Sequence, residues 1–178
     1  MATNRVIVIG AGASGMMAAG HAAESGAGVV LLEKMPQPGK KLLISGKTRC
    51  NLTNTRDFDD FIAMYGPNGR FLYSAFHRFF RDELLALLKK YGVDTVTERG
   101  GRIFPVSGDA RDVVKALQDY ASSQGVKTHT GIQVTEIHTD YGHITGIRTK
   151  KEFYPAEAIV LATGGASYPA TGSSGDGY

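Results

Sequence analysis

Cysteine is almost missing from this chain: there is one among 178 residues, at position 50. A single thiol allows no internal disulfide, which excludes a disulfide-stapled scaffold and points to a reducing compartment. Long apolar runs are missing too. None approaches the roughly 20 residues needed to span a bilayer, and no basic-then-apolar leader opens the chain. The expectation is a cytoplasmic protein with no membrane partner. Concentrated charge is also lacking. The formal net charge is only +3, whereas a nucleic-acid binder is expected to carry a dense basic face. No nucleic-acid partner is therefore expected. Glycine, by contrast, is plentiful. Most of the 23 glycines fall in three patches, at 10–28, 92–108 and 164–177. Such patches mark tight turns and loops that come close to a ligand.

The most informative stretch is Arg5–Glu33, RVIVIGAGASGMMAAGHAAESGAGVVLLE. Arg5–Ile9 has the length and apolarity of a buried strand. Gly10, Gly12 and Gly15 follow with the spacing G-x-G-x-x-G. Met16–Glu24 lacks proline and reads as a helix, and Val29–Leu32 as a second buried strand ending on Glu33. Each part has a physical role. Gly10 permits a sharp turn off the strand, Gly12 removes a side chain where a pyrophosphate would touch backbone, and Gly15 lets the helix approach the sheet. Free amides at Ala13, Ser14 and Gly15, with the helix dipole, attract an anion. A carboxylate at Glu33 suits ribose hydroxyls and repels a 2′-phosphate. The motif alone is weak, but here it has the strand, helix and acid that it requires.

Beyond Glu33 the stretch Lys34–Asn54 reads as a long basic loop containing Lys34, Lys40, Lys41, Lys47 and Arg49. Long loops in compact domains are often functional, and these cations suit phosphates, with Ser45 and Asn51 as neutral donors. Cys50 reads as a small buried side chain rather than a nucleophile. A short helix is expected over Asp57–Tyr65. The stretch Gly69–Tyr91 is strongly helical, with a second helix capped by Asp82 and stopped at Gly92. Its aromatic and basic side chains also fit a membrane surface, but their three-to-four spacing favours a core. Val93–Val106 reads as a hairpin turning at Gly100–Gly101. Asp109 caps a helix reaching Ser122.

A third short strand is expected at 126–129 and an antiparallel meander over 132–155. His138 and His143 flank the first turn of that meander, but no third ligand accompanies them, so no metal is expected. Ala158–Leu161 reads as a buried parallel strand running into Thr163, Gly164 and a glycine-rich tail. Loops at that end of a strand are where open α/β sheets bind ligands. The expected fold is thus α/β: a Rossmann-type parallel sheet with an antiparallel β-meander and a mostly helical insertion at about 55–108.

Three blocks, VIVIGAGASGMMAA with LLEK, GKKLLISGKTRCNLTN, and LATGGASYPATGSSGDGY, resemble bacterial two-dinucleotide-binding-domain flavoproteins of the aminoacetone oxidase/bile-acid reductase-like family. GRIFPVSGDARDVV is a weaker fourth block. The resemblance implies an NAD(P)/FAD-dependent oxidoreductase with FAD as cofactor, NADH or NADPH as a possible reductant and a small-molecule substrate. It implies that Gly10, Gly12, Ala13, Ser14, Gly15 and Glu33 bind the ADP half of FAD, with Lys34 beside the ribose. Lys40, Lys41, Ser45, Gly46, Arg49 and Asn51 would wrap the pyrophosphate and flavin side. Val134 would offer backbone groups to adenine, and Thr163 and Gly164 would approach from the last strand. It names no catalytic acid or base.

Two departures from the resemblance stand out. The family usually has glycine where this chain has Thr48, and its members are much longer. The chain is therefore expected to be the N-terminal part of an FAD-binding domain, with an uncovered sheet edge open to self-association. A non-catalytic dinucleotide-binding fragment is the alternative function, and an RNA-modifying flavoprotein a less favoured one.

Overall fold

The computed structural model describes residues 4–178. In chain order the elements are β1 (Arg5–Ile9), α1 (Ala13–Glu24), β2 (Gly28–Glu33), α2 (Lys40–Ile44), β3 (Thr53–Asn54), α3 (Phe58–Ala63), α4 (Tyr73–Arg78) and α5 (Arg81–Lys90). They continue with β4 (Thr95–Thr97), β5 (Arg102–Pro105), α6 (Ala110–Ser123), β6 (Lys127–Thr130), β7 (Val134–Asp140), β8 (His143–Thr149), β9 (Phe153–Pro155) and β10 (Ala158–Leu161). The described residues divide into two units. One holds the residues up to Leu43 together with Leu117–Tyr178, and the other is Ile44–Ala116, which contains the 55–108 stretch.

The first unit is built on a parallel sheet of order β10-β1-β2-β6. The apolar runs read from the sequence form it because strands covered on both faces need apolar residues at consecutive positions. Ile7, Val8, Ile9, Leu31 and Leu32 are all buried, and each such side chain contributes about 1.5–3 kcal/mol of burial. Helix α1 covers one face through Gly15, Met16, Ala19 and Gly20. A Cβ on Gly20 would overlap the ring of Tyr120, so glycine there lets α1 close onto α6. The Tyr120 hydroxyl donates to Glu24 Oε2 at 3.2 Å. The meander β7-β8-β9 covers another part of the sheet, as expected. Ile147 and Ala156 pack with Ile7, Ile9 and Leu32, and Ile132, Val134 and Tyr154 close around them.

Strand order decides where a ligand fits. The chain leaves β1 for β2 on one side and returns to β10 on the other, so the order reverses beside β1. Open α/β sheets bind ligands at that reversal, outside the carboxyl ends of the strands. Beyond β10 the sheet pairs with no further strand among the described residues, and Leu161 is half-exposed.

The second unit carries the short sheet β3-β5-β4 and α3, α4 and α5. The expected hairpin is present, with Val96 opposite Phe104 and Thr97 opposite Ile103. The expected helix from Gly69 is not continuous. Residues Gly66–Leu72 form a 3-10 helix, α4 follows, and Phe79 is extended at φ −153°, ψ 104°. Rings rather than helix continuity organise this stretch: Phe61 packs edge-on against Phe76 and Phe80, and Phe58 stacks on His77. Asp82 does not cap α5. The Glu83 carboxylate accepts the Phe80 N–H at 2.9 Å instead, which leaves Asp82 in the first turn. Asp57 and Asp109 do cap, accepting N–H groups from Asp60 at 3.0 Å and Arg111 at 2.8 Å.

One further reading changes. The basic loop after Glu33 contains the short helix α2, entered through Gly39 at φ +68°. The two histidines of the meander do not face each other: His143 lies opposite Asp140, and His138 opposite Gly146.

Candidate dinucleotide-binding site

The glycine bend lies at the carboxyl end of β1. Gly10 has φ +103°, a conformation that disfavours other residues, and its N–H bonds to Leu32 O at 2.7 Å. A Cβ on Gly15 would collide with the carbonyl of Gly10. These two glycines therefore serve packing. Gly12 differs, since a Cβ built there meets nothing within 4 Å. It is the N-cap of α1, no side chain caps that end, and the first turn holds no acid. An uncapped helix start beneath open space presents amide donors and the positive dipole end to an anion. Ala13 and Ser14 in that first turn are exposed.

Glu33 ends β2 and turns toward the bend. Its Oε2 accepts the Ala11 N–H at 2.7 Å, and its Oε1 accepts the Met35 N–H at 2.8 Å. The carboxylate thus fixes the bend and keeps further lone pairs unused by these two bonds. Ala11 is held from the other side, because its carbonyl accepts the Gly39 N–H at 2.8 Å. That bond brings the start of α2, with Lys40 and Lys41, to the bend. Lys41 Nζ lies 5.4 Å from the centroid of the Tyr168 ring.

Thr163 follows β10 at the neighbouring strand end. A Cβ on Gly10 would meet Thr163 Cα at 3.1 Å, so the two loops touch. Gly164 has φ +74°. The Ile132 N–H donates to Glu33 O at 2.9 Å, which sets Val134 at the start of edge strand β7 close to the end of β2. Gly10, Gly12, Ala13, Ser14, Gly15, Glu33, Lys34, Lys40, Lys41, Val134, Thr163 and Gly164 all belong to the first unit.

Ser45, Gly46, Arg49 and Asn51 belong to the second. Arg49 is engaged there: its guanidinium donates to Glu98 Oε2 at 2.7 Å and lies 4.0 Å from the Phe104 ring centroid. Gly46, Lys47, Thr48 and Cys50 all have positive φ, between +56° and +67°. Cys50 is buried, as expected. Burial pushes its thiol up, against a hydrogen bond with Ser45 that pulls it down, so it is a neutral thiol at neutral pH.

The sequence reading missed the partners of Lys34. The ammonium pairs with Asp176 Oδ2 at 2.6 Å and also touches Ser174 Oγ. The available signal was small: Asp176 is the one acid in the glycine-rich tail. No group of three His, Cys, Asp or Glu among the described residues could hold a metal, and no described helix is long and apolar enough to cross a membrane.

A parallel sheet with an open glycine bend at its order reversal, closed by an acid on the next strand, is a dinucleotide-binding Rossmann domain. Residues 4–178 match the model of the HI0933-like protein Rossmann domain, and the chain belongs to that family. The family is one of flavin-dependent oxidoreductases with an FAD-binding Rossmann domain.

Among curated relatives, a 3-dehydro-bile acid delta(4,6)-reductase of Clostridium scindens is 36% identical over 98% of this chain. A ribosomal RNA dihydrouridine synthase of Escherichia coli is 32% identical over 97%. The chain spans about 42% of the length of each. Among solved structures, 3-ketosteroid-delta4-(5alpha)-dehydrogenase from Rhodococcus jostii superimposes with a TM-score of 0.68 at 19% identity. That match covers 93% of this chain and 47% of that one, and it shows a shared fold.

Proposed function

We propose that this chain is the FAD-binding half of an oxidoreductase that moves hydride or electrons between NAD(P)H and a small-molecule substrate. The open, uncapped start of α1 at Gly12 carries the reading. The residues present fit the ADP portion of FAD: amides at Ala13, Ser14 and Gly15 for the pyrophosphate, Glu33 for the ribose, Val134 beside the adenine, and Thr163 and Gly164 on the neighbouring loop. Lys40 and Lys41 supply cations near the bend. When bound, the flavin supplies the hydride and electron chemistry. The chain's own work is to bind and orient it. Helix donors fixed before the ligand arrives avoid a reorganisation cost.

Titration of FAD into the protein, followed by flavin fluorescence, tests the cofactor. Oxidation of NADH or NADPH by the flavin-loaded protein tests the reductant. Saturable quenching with NAD(P)H oxidation is expected. Quenching without oxidation favours a non-catalytic dinucleotide-binding module, and no FAD binding contradicts the proposal.

A second reading has its own support. The E. coli relative is named for ribosomal RNA, and the positive charge of this chain is uneven. Ile44–Ala116 holds twelve of the twenty Lys and Arg but nine of the seventeen Asp and Glu, so the whole net charge of +3 lies there. The same unit exposes Tyr65, Phe71 and Phe79, and bases stack on such rings. RNA binding that weakens steeply with salt would favour an RNA substrate, and salt-insensitive or absent binding would favour a small molecule.

A further inference from the structure

The end of β2 carries two opposed signals for an adenosine dinucleotide. An acid there takes the ribose hydroxyls, whereas a neighbouring cation accommodates a 2′-phosphate. This chain has both, side by side, as Glu33 and Lys34. The structure separates them. Glu33 stays at the bend on the Ala11 and Met35 amides. Lys34 reaches instead into the tail beyond β10, where Asp176 Oδ2 lies 2.6 Å from its ammonium and Ser174 Oγ is also in contact. The Ser174 hydroxyl in turn donates to Asp176 Oδ1 at 2.7 Å, which fixes the carboxylate. The tail backbone is pressed against the lysine stem, since a Cβ on Gly172 would lie 3.5 Å from Lys34 Cε and 2.9 Å from Met35 Cγ.

We infer that Asp176 is a specificity-determining residue, which withholds the Lys34 ammonium from the adenosine ribose and so makes this site reject 2′-phosphorylated dinucleotides. The inference rests on the proposed dinucleotide site. With the pair formed, Glu33, Lys34 and Asp176 sum to one negative charge, and a dianionic phosphate is repelled. Without the Asp176 charge, Lys34 becomes a donor for that phosphate. A charge-assisted contact of that kind is worth about a tenfold change in affinity.

The test measures dissociation constants for ADP-ribose and 2′-phospho-ADP-ribose, which differ only in the phosphate, by calorimetry on the 178-residue chain. The unsubstituted protein is expected to prefer ADP-ribose. Asp176→Asn is expected to shift the ratio about tenfold toward the phosphorylated ligand. Adding Lys34→Gln to Asp176→Asn should abolish that shift, and Asp176→Glu should restore the preference. A ratio within about twofold of the original in Asp176→Asn, or a shift that survives Lys34→Gln, overturns the inference. A merely structural role would weaken both ligands alike and leave the ratio fixed, which also overturns it. Failure of the unsubstituted protein to bind ADP-ribose would overturn the dinucleotide reading itself, and this inference with it.

Discussion

The carboxylate of Glu33 accepts the N–H of Ala11 at 2.7 Å, across 22 residues of sequence. One side chain thereby joins the end of β2 to the bend after β1. The acid holds the bend and, in the function proposed above, also faces the ribose; substitution separates the two roles.

Glu33→Ala leaves the Ala11 and Met35 amides without that acceptor. Chemical denaturation is expected to show a loss of about 2 kcal/mol, the usual cost of an unmade hydrogen bond at a partly buried donor. Glu33→Gln keeps one acceptor oxygen and should lose less. Both should weaken ADP-ribose by about tenfold or more, because neither offers a charged acceptor to the ribose hydroxyls.

Thr48 sits at φ +67°, among Lys47 at +57° and Cys50 at +59°. A β-branched residue is strained there. A glycine at this position would carry no such strain. Thr48→Gly is expected to raise stability by about 1 kcal/mol, read as a higher denaturant midpoint at unchanged slope. A lower midpoint would show that the side chain contributes more than the strain costs.

The carboxyl of Asp176 is held below its ordinary range, first by the Lys34 hydrogen bond and then by that of Ser174. A carboxyl depressed in the folded protein contributes stability above its unfolded value and loses it as pH falls through the folded one. The Lys34–Asp176 link should therefore persist at pH 5 and open only below the usual carboxylate range. A carboxyl-carbon NMR titration of Asp176 checks this, with a midpoint below that of a free aspartate expected. In Lys34→Gln the midpoint should move back up.

Much of the first unit was legible because its signals are local. The run from Arg5 to Ile9, the glycine spacing after it and the acid at Glu33 sit within one βαβ unit. The alternation in 134–149 shows the meander directly. Elsewhere, local pattern and tertiary packing disagreed. The aromatic residues from Phe71 to Phe80 fit helical spacing, yet ring contacts with Phe58 and Phe61 leave Phe79 extended. Lys40–Ile44 is too short to stand out inside a basic loop. Arg49 reads as a free cation in sequence, but Glu98, paired with it at 2.7 Å, lies 49 residues away. The partner of Lys34 is 142 residues away, beyond any window of periodicity or spacing.

The central claim is that the bend at Gly12 receives a pyrophosphate. Gly12 has an ordinary φ of −77° and open space where a Cβ would stand, so Gly12→Val should leave the fold intact. The decisive measurement is the FAD dissociation constant of this variant beside the unsubstituted protein, with thermal unfolding of both recorded. An unchanged unfolding temperature with at least about tenfold weaker FAD binding is the predicted result; equal FAD affinity in the two proteins would contradict it.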